Sequence, residues 1–480
     1  MPCLGVGRIC DKQTRDGEAA ARSISFRALF LCAFATNSAH ALPRPIRYPS
    51  SFHVSLASGY NNLMHVVIFE GNRWPSFAPL SLSRPVFMLR CGLGTILEQQ
   101  IRALRPTRLT LWVRPKLAEY CRRVVVPTLS IPTKINEPLD DEPALLSSGR
   151  SIHLKRFEWP TIPSAMLDDG QAIRQALVHS PGLTHQDCLL RSPAWMRITE
   201  LPSSNAQSRL PHYVWDLTQW NSEAIVADTI ERFGDGHNPP IAINHPAGAY
   251  HMVRPENVHL STGVTIDPGV VLDASKGPIV IDDNAALGAN CVLQGPCYIG
   301  VGTVISPLAY IRPGTTIGPG CKIGGEVSAS IILGNTNKAH EGYLGDSCVG
   351  EWVNLGAGTS TSNLKNTYGP ITMRIGPREI PTDRRFLGSM IGDHSKTAIG
   401  TRLMTGSYIG FCCMLAGSAL PPIYVPSFTF WTDKGAEKYR PDKAREVMTQ
   451  VFGRRGRTWT DADQFAMDYV TETAANVEGV

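Results

Sequence analysis

A regular hydrophobic repeat is interrupted between Glu326 and Asp346, and the interruption holds the residues best suited to chemistry. Asn335 to Asn363 reads NTNKAHEGYLGDSCVGEWVNLGAGTSTSN, which sets His340, Tyr343, Asp346 and Asn354 close together. An imidazole with an ordinary pKa near 6.5 takes and returns protons near neutral pH. His340 therefore reads as a candidate base, with a loop histidine of no role as the bland alternative. Other candidates carry less information. His153, His179 and His185 show no metal-ligand spacing with one another. Asp140, Asp141, Asp168 and Asp169 are metal candidates by residue type alone, so the metal ligands stay unknown. Arg84 and Arg90 are suited to bringing positive charge to a phosphate, or equally to pairing with carboxylates. His394, in GDHSKT, reads as structural or peripheral.

The elements that must position these groups are set by period. Ile281, Leu287, Leu293, Ile299, Ile305, Ile311, Ile317 and Ile323 fall six residues apart, and Leu260, Ile266 and Leu272 keep the same step upstream. Six fits neither the 3.6 residues of a helical turn nor simple strand alternation. It fits a chain that turns a corner every six residues and stacks coil on coil, about 4.8 Å apart, with one aliphatic per corner pointing inward. The period predicts a solenoid over about 256–425, followed by a helical tail over 426–480. In that tail Ala444, Val447, Met448 and Val451 share one face of a helix from Asp442 to Gly453. Lys434, Lys438, Arg440 and Arg445 form a basic surface beside it, read as a solvated face or a contact for phosphates.

Upstream, His65 to Phe69 reads as a buried strand, Thr95 to Leu104 as a helix and Leu109 to Val113 as a second strand, the opening of an α/β domain over 64–250. The loop after the first strand is where such sheets bind nucleotides. Residues 1–63 read as a leader or mispredicted extension without ordered structure. The apolar run Ala28 to Ala35 and the Ala39-His40-Ala41 triplet form a weak secretory pattern, but the run is too short to span a membrane. The chain carries 46 Lys+Arg against 41 Asp+Glu, a net charge of +5. That balance suits anionic ligands, and no long basic run points to nucleic acid. The 12 cysteines are scattered without a CxxC pair, which reads as reduced thiols in a cytoplasmic protein.

The motifs resemble one group. FEGNRWPSFAPLSLSRPVFMLRCGLGTILE, with Tyr213 to Leu217 and the helix from Glu223 to Phe233, is similar to the opening of sugar nucleotidyltransferase-like proteins that carry a hexapeptide-repeat C-terminal half. These are relatives of the bifunctional N-acetylglucosamine-1-phosphate uridyltransferase/glucosamine-1-phosphate acetyltransferase. The stretch around His340 resembles its acetyltransferase centre: His340, Tyr343, Leu344, Gly345 and Asp346 match, as do Asn354, Gly356, Ala357, Gly358 and Thr359. The resemblance implies a left-handed parallel β-helix, an association into homotrimers with active sites between subunits, and a transferase of nucleotide-sugar metabolism. It implies His340 as the base, Arg312, Tyr343 and Asn354 as acceptor-binding residues, and Asn363, Thr401 and Ala416 along the acetyl-CoA groove. For the α/β half it implies a nucleoside triphosphate with Mg²⁺, with Arg84 and Arg90 the nucleotide-binding candidates. The ligands are thus sugar phosphate and coenzyme A, with no nucleic acid and no membrane.

Three departures mark this chain. The Gly-rich triphosphate loop of the bifunctional enzyme is here Phe69-Glu70-Gly71-Asn72-Arg73, with one Gly. The family's phosphate-binding lysine has no counterpart in Ser328 to Ile332. About fifteen extra residues, including Pro370 to Phe386, read as a small hairpin over the site. The departures leave three alternatives: a bifunctional enzyme, an acyltransferase with a degenerate N-terminal half, and a non-catalytic β-helix binding protein.

Overall fold

The computed structural model describes residues 64–168, 172–205, 207–234 and 250–480. The leader read over 1–63 and the candidate Asp169 lie outside them. His65–Phe69 forms the centre of a six-stranded sheet. It pairs in parallel with Arg108–Trp112 on one side and Ala144–Ser148 on the other. Thr133–Ile135 extends the parallel part, and Ala172–Val178 with Ser164–Asp168 adds an antiparallel edge. All five residues of HVVIF are buried, because a parallel strand is covered on both faces. Val66 and Ile68 pack on one face with Leu97 and Ile101 of the helix Ile96–Leu104. Val67 and Phe69 pack on the other with Trp195 and Ile198. The helix starts where Thr95 accepts from Glu98 N and Glu98 accepts from Thr95 N, a reciprocal cap that stabilises by about 1 kcal/mol.

The repeat region is a parallel β-solenoid with one sheet per face. The longest sheet stacks nine strands from Val258–Leu260 to Tyr424–Val425. Ile281, Ile299, Ile317 and Ile332 lie in register on that face. Ile266, Leu287, Ile305 and Ile323 lie in register on the second. The core-facing Val327 follows Ile323 after only four positions, so one corner is cut short at Gly324-Gly325. Gly325 has φ +68°, and a Cβ there would stand 2.6 Å from the carbonyl oxygen of Gly342. That shortened corner is the reason the strict period stops, and the six-residue step resumes at Ile332, position 338 and Leu344.

The insertion does form a hairpin, Thr372–Ile375 against Arg378–Pro381. Its apolar residues Ile371, Met373 and Ile375 are buried in a core shared with Phe77, Leu80 and Trp215 of the α/β half, Tyr408 and Phe411 of the solenoid, and Met448 and Val470 of the tail. It therefore serves as an internal brace. The tail holds the expected helix, Pro441–Gly453, and a second, Asp461–Glu478. No helix among the described residues is long and apolar enough to cross a membrane.

The last helix ends on a buried carboxylate. Glu478 accepts from Tyr408 Oη at 2.9 Å, from Ser427 Oγ at 2.7 Å and from Ser427 N at 2.8 Å. Burial raises its pKa above the ordinary 4.5, and the hydrogen bonds from Ser427 and Tyr408 oppose this. A carboxyl raised in the folded state favours folding most below its unfolded pKa, and that contribution is lost as pH rises through the folded value. Glu478→Gln removes the titration. The melting temperature of the variant relative to the native chain should rise as pH is raised above about 4.5. A difference independent of pH would show that this group does not titrate on unfolding.

Candidate active site

His340 stands exposed at the solenoid corner between the strands Asn337–Lys338 and Tyr343–Gly345. The face that follows the corner gathers polar side chains from successive coils. Tyr310, Glu326 and Tyr343 are stacked by strand register. Arg312 pairs with Glu326 at 2.9 Å. Asn363 Nδ2 donates to Tyr343 Oη at 3.0 Å and to Asp346 Oδ2 at 2.6 Å. Burial raises the pKa of Tyr343 and of Asp346, and Asn363 partly offsets both. The result is a cation, a phenol, a carboxyl and an amide converging beside an exposed imidazole.

The sequence-predicted residues divide between this face and its neighbours. Arg312, Tyr343 and Asn363 come together, which puts Asn363 beside the acceptor-binding candidates. Asn354 is exposed on the face before the corner, bridged to Asn337 in the preceding coil and Lys396 in the following one. Asn337 accepts in turn from Arg455 Nη2 at 2.7 Å. Thr401 and Ala416 belong to the coils that continue His340's own corner. Thr401 is buried with its hydroxyl donating to Ala398 O at 2.8 Å, and Ala416 is exposed. His394 is buried at φ +62° among Trp352, Phe411 and Phe452, and burial lowers its pKa well below 6.5. A neutral imidazole in an aromatic cluster matches the structural reading. Lys434, Lys438, Arg440 and Arg445 are exposed.

In the α/β half, the end of the first strand is closed by protein groups. Glu70 is buried and bound by Arg114, Nε to Oε2 at 2.8 Å, and accepts from Val86 N at 3.0 Å. Arg114 lies 3.9 Å over the Trp74 ring and donates to Tyr469 Oη at 2.9 Å. Arg84 donates to Asp393 Oδ2 at 2.5 Å and pairs with Glu351 at 3.0 Å, both solenoid residues. Arg90 Nε donates to Leu333 O at 2.9 Å. Both guanidiniums thus join the two halves, Arg84 through two carboxylates and Arg90 through a main-chain carbonyl. Of the described carboxylate candidates, Asp140 pairs with Arg108, Asp141 with His179 and Asp168 with Arg174. No group of three or more His, Cys, Asp or Glu placed to hold a metal occurs among the described residues.

Two features escape a reading of the sequence. Arg150 is buried, its Nη1 donating to Pro211 O at 2.6 Å, and burial pulls its pKa down to about 10. Lys338 is buried in the solenoid interior directly behind His340. A lysine inside a matched motif gives no sign that it faces inward; counting six from Ile332 would have shown it.

Residues 66–232 match the family described as Sugar nucleotidyl transferase. The chain is 38% identical over 167 residues to a "Bifunctional protein GlmU" of Methanocaldococcus jannaschii, 34% of this chain and 40% of that protein. It is 36% identical over 137 residues to a "Bifunctional sugar-1-phosphate nucleotidylyltransferase/acetyltransferase" of Sulfurisphaera tokodaii, 28% and 34% of the two chains. A Synechococcus elongatus "Bifunctional protein GlmU" is 33% identical over 172 residues, 32% and 34% of the two chains. The matched segments thus span 34 to 40% of the length of these relatives. The resemblance to this group is borne out over its nucleotidyltransferase-like opening, and the repeat half is a parallel β-solenoid, as the resemblance implies.

Proposed function

We propose that the chain is a sugar-1-phosphate nucleotidyltransferase/acyltransferase of nucleotide-sugar metabolism. The carrying observation is the exposed imidazole of His340 beside the face that holds Arg312, Tyr343, Asp346 and Asn363. The acceptor is an amino-sugar phosphate. Its nitrogen attacks the thioester carbonyl of an acyl-CoA, the new C–N bond forms, and the C–S bond breaks. His340 takes the proton from the amine and returns it to the departing sulfur, which leaves as free coenzyme A. Arg312 contacts the phosphate, and Tyr343 with Asn354 orients the sugar. Acetyl-CoA, or another acyl-CoA, lies along the corner that carries Thr401 and Ala416, with Asn363 at its base. The exposed Leu308 and Ile399, at 77% and 79% accessibility on the same side of the solenoid, offer apolar surface for association into homotrimers. The setting is the cytoplasm.

At the α/β half a sugar-1-phosphate oxygen attacks the α-phosphorus of a nucleoside triphosphate and pyrophosphate leaves. A specific observation favours a second reading for this half. Glu70 and Arg114 fill the end of the first strand where a phosphate cradle is required, which supports a half that serves as a scaffold. A paired assay on the full chain separates the two. One arm supplies acetyl-CoA with amino-sugar phosphates and follows thiol release. The other supplies nucleoside triphosphates, Mg²⁺ and sugar 1-phosphates and follows pyrophosphate. Both signals establish the bifunctional enzyme. Thiol without pyrophosphate establishes the acyltransferase with a scaffold half. Neither signal from a folded oligomer returns the chain to a binding role.

A further inference from the structure

Lys338 occupies an aliphatic slot. Its column, read through strand register, is Ile266, Leu287, Ile305, Ile323, then Lys338. The isolated bridge between Asn337 and Asn354 carries the column on to Leu355. Along the chain Lys338 keeps the six-residue step between Ile332 and Leu344, both core residues. Its side chain is 2% exposed. Lysine is almost never fully buried without partners, because removing an ammonium from water is costly. Here an aliphatic side chain of the kind found at each neighbouring level would fill the same position without that cost.

The ammonium is satisfied by main chain alone. Nζ donates to Gly324 O at 2.8 Å, to His340 O at 3.3 Å and to Gly342 O at 2.7 Å. Three donors meet three carbonyls, which matches the inventory of a protonated lysine. Two of those carbonyls lie in the turn that displays His340, one at His340 itself and one two residues on. The third lies on the shortened corner of the coil before. From the other side, Gly358 N donates to Glu341 O at 3.2 Å. Gly342, at φ +119°, lies so close to the next coil that a Cβ would stand 2.1 Å from Thr359 O. The turn is thus clamped from within by one cation and from above by the next coil. Burial lowers the lysine's pKa to about 8, with Glu341 and Glu326 the facing carboxylates that oppose this.

We infer that Lys338 is a positioning residue: it fixes the main chain on both sides of His340 and so holds the imidazole where it meets the acceptor. This rests on the acyl-transfer reading above. The nearest levels explain why the residue is not a packing choice. Ile323 below and Leu355 above do the packing work of this column without any charge.

The test is Lys338→Met in the full chain, alone and combined with His340→Ala, assayed by thiol release with acetyl-CoA and the acceptor that the native chain uses. Met fills the aliphatic slot but leaves the carbonyls of Gly324, His340 and Gly342 without this donor, so the melting temperature should fall modestly with the chain still folded. kcat should fall about 10²-fold, the order expected for a misplaced catalytic group, with KM for acetyl-CoA unchanged. In the His340→Ala background the same substitution should change the residual rate less than about threefold, since groups that act as a unit are non-additive. Lys338→Gln, which keeps two N–H donors, should fall between native and Met, and it carries the test if Met fails to assemble. A native kcat in Lys338→Met overturns the inference, as does an equal loss with and without His340. Thiol release absent from the native chain itself overturns the acyl-transfer reading, and this inference with it.

Discussion

His340→Ala lowers kcat for acyl transfer by about 10²–10⁴-fold, the range for removal of a general base, with little change in assembly or melting temperature. The structural side is secured by exposure. The imidazole stands at a corner outside the hydrophobic core, so truncation leaves no cavity and strands no buried partner. The turn keeps its shape through backbone: Lys338 holds the carbonyls of His340 and Gly342, and Gly358 N holds Glu341 O. Loss of function without loss of structure is therefore the expected signature. The kinetic side adds a second check. A base that takes the amine's proton should leave KM for acetyl-CoA near its native value while kcat falls, since the side chain is needed in the transition state and not for coenzyme binding. A variant that retains native turnover removes His340 from the mechanism and leaves the polar face around Tyr343 and Asp346 as a binding surface only.

How much of this was legible depends on how local the determinant is. The strand HVVIF is found residue for residue, because a short run rich in β-branched residues and bounded by Glu70-Gly71 suits a strand covered on both faces. The solenoid is legible because each coil repeats one local rule, and the nine strands of its longest face follow that rule wherever six is kept. Helix starts are legible where a cap is written: Thr95 with Glu98 marks one, and Thr460 with Asp463 marks another that the sequence reading passed over. The candidate site divides in the same way. His340, Tyr343 and Asp346 sit within one turn and strand, so a motif finds them together. Asn363 reaches the same face from the following coil, and its bond to Tyr343 is set by coil stacking rather than by sequence distance. The hairpin of residues 372–381 was readable as a hairpin, but not its place. Its burial depends on Tyr408, Met448 and Val470, which come from the solenoid and both tail helices. Arg84 is the clearest case. Its partners Asp393 and Glu351 are 309 and 267 positions away, and no local pattern announces that pairing.

Arg84→Met should destabilise the chain more than any substitution at the catalytic corner. The guanidinium is buried between a fully buried Asp393 and a partly covered Glu351. Burial alone pulls the pKa of Arg84 down, but Asp393 and Glu351 together raise it above its ordinary value. Asp393 is also committed to Ser83 Oγ and to Glu351 N, so it has no route to solvent. Removing the cation leaves that carboxylate buried and uncompensated, which costs about 3–5 kcal/mol, a large share of the roughly 5–15 kcal/mol that stabilises an ordinary domain. The double variant Arg84→Met/Asp393→Asn should regain part of the loss, because it removes the stranded charge instead of leaving it; thermal or denaturant unfolding of the three proteins reads the coupling directly. The same set tests the nucleotide-binding expectation for Arg84. A phosphate-gripping arginine predicts an unchanged melting temperature and weaker binding of a nucleoside triphosphate. A strut between the halves predicts the reverse, a lower melting temperature at every nucleotide concentration. The reverse is expected here, because the guanidinium already spends its charge on two carboxylates of the solenoid, and a triphosphate could claim it only by leaving Asp393 unpaired.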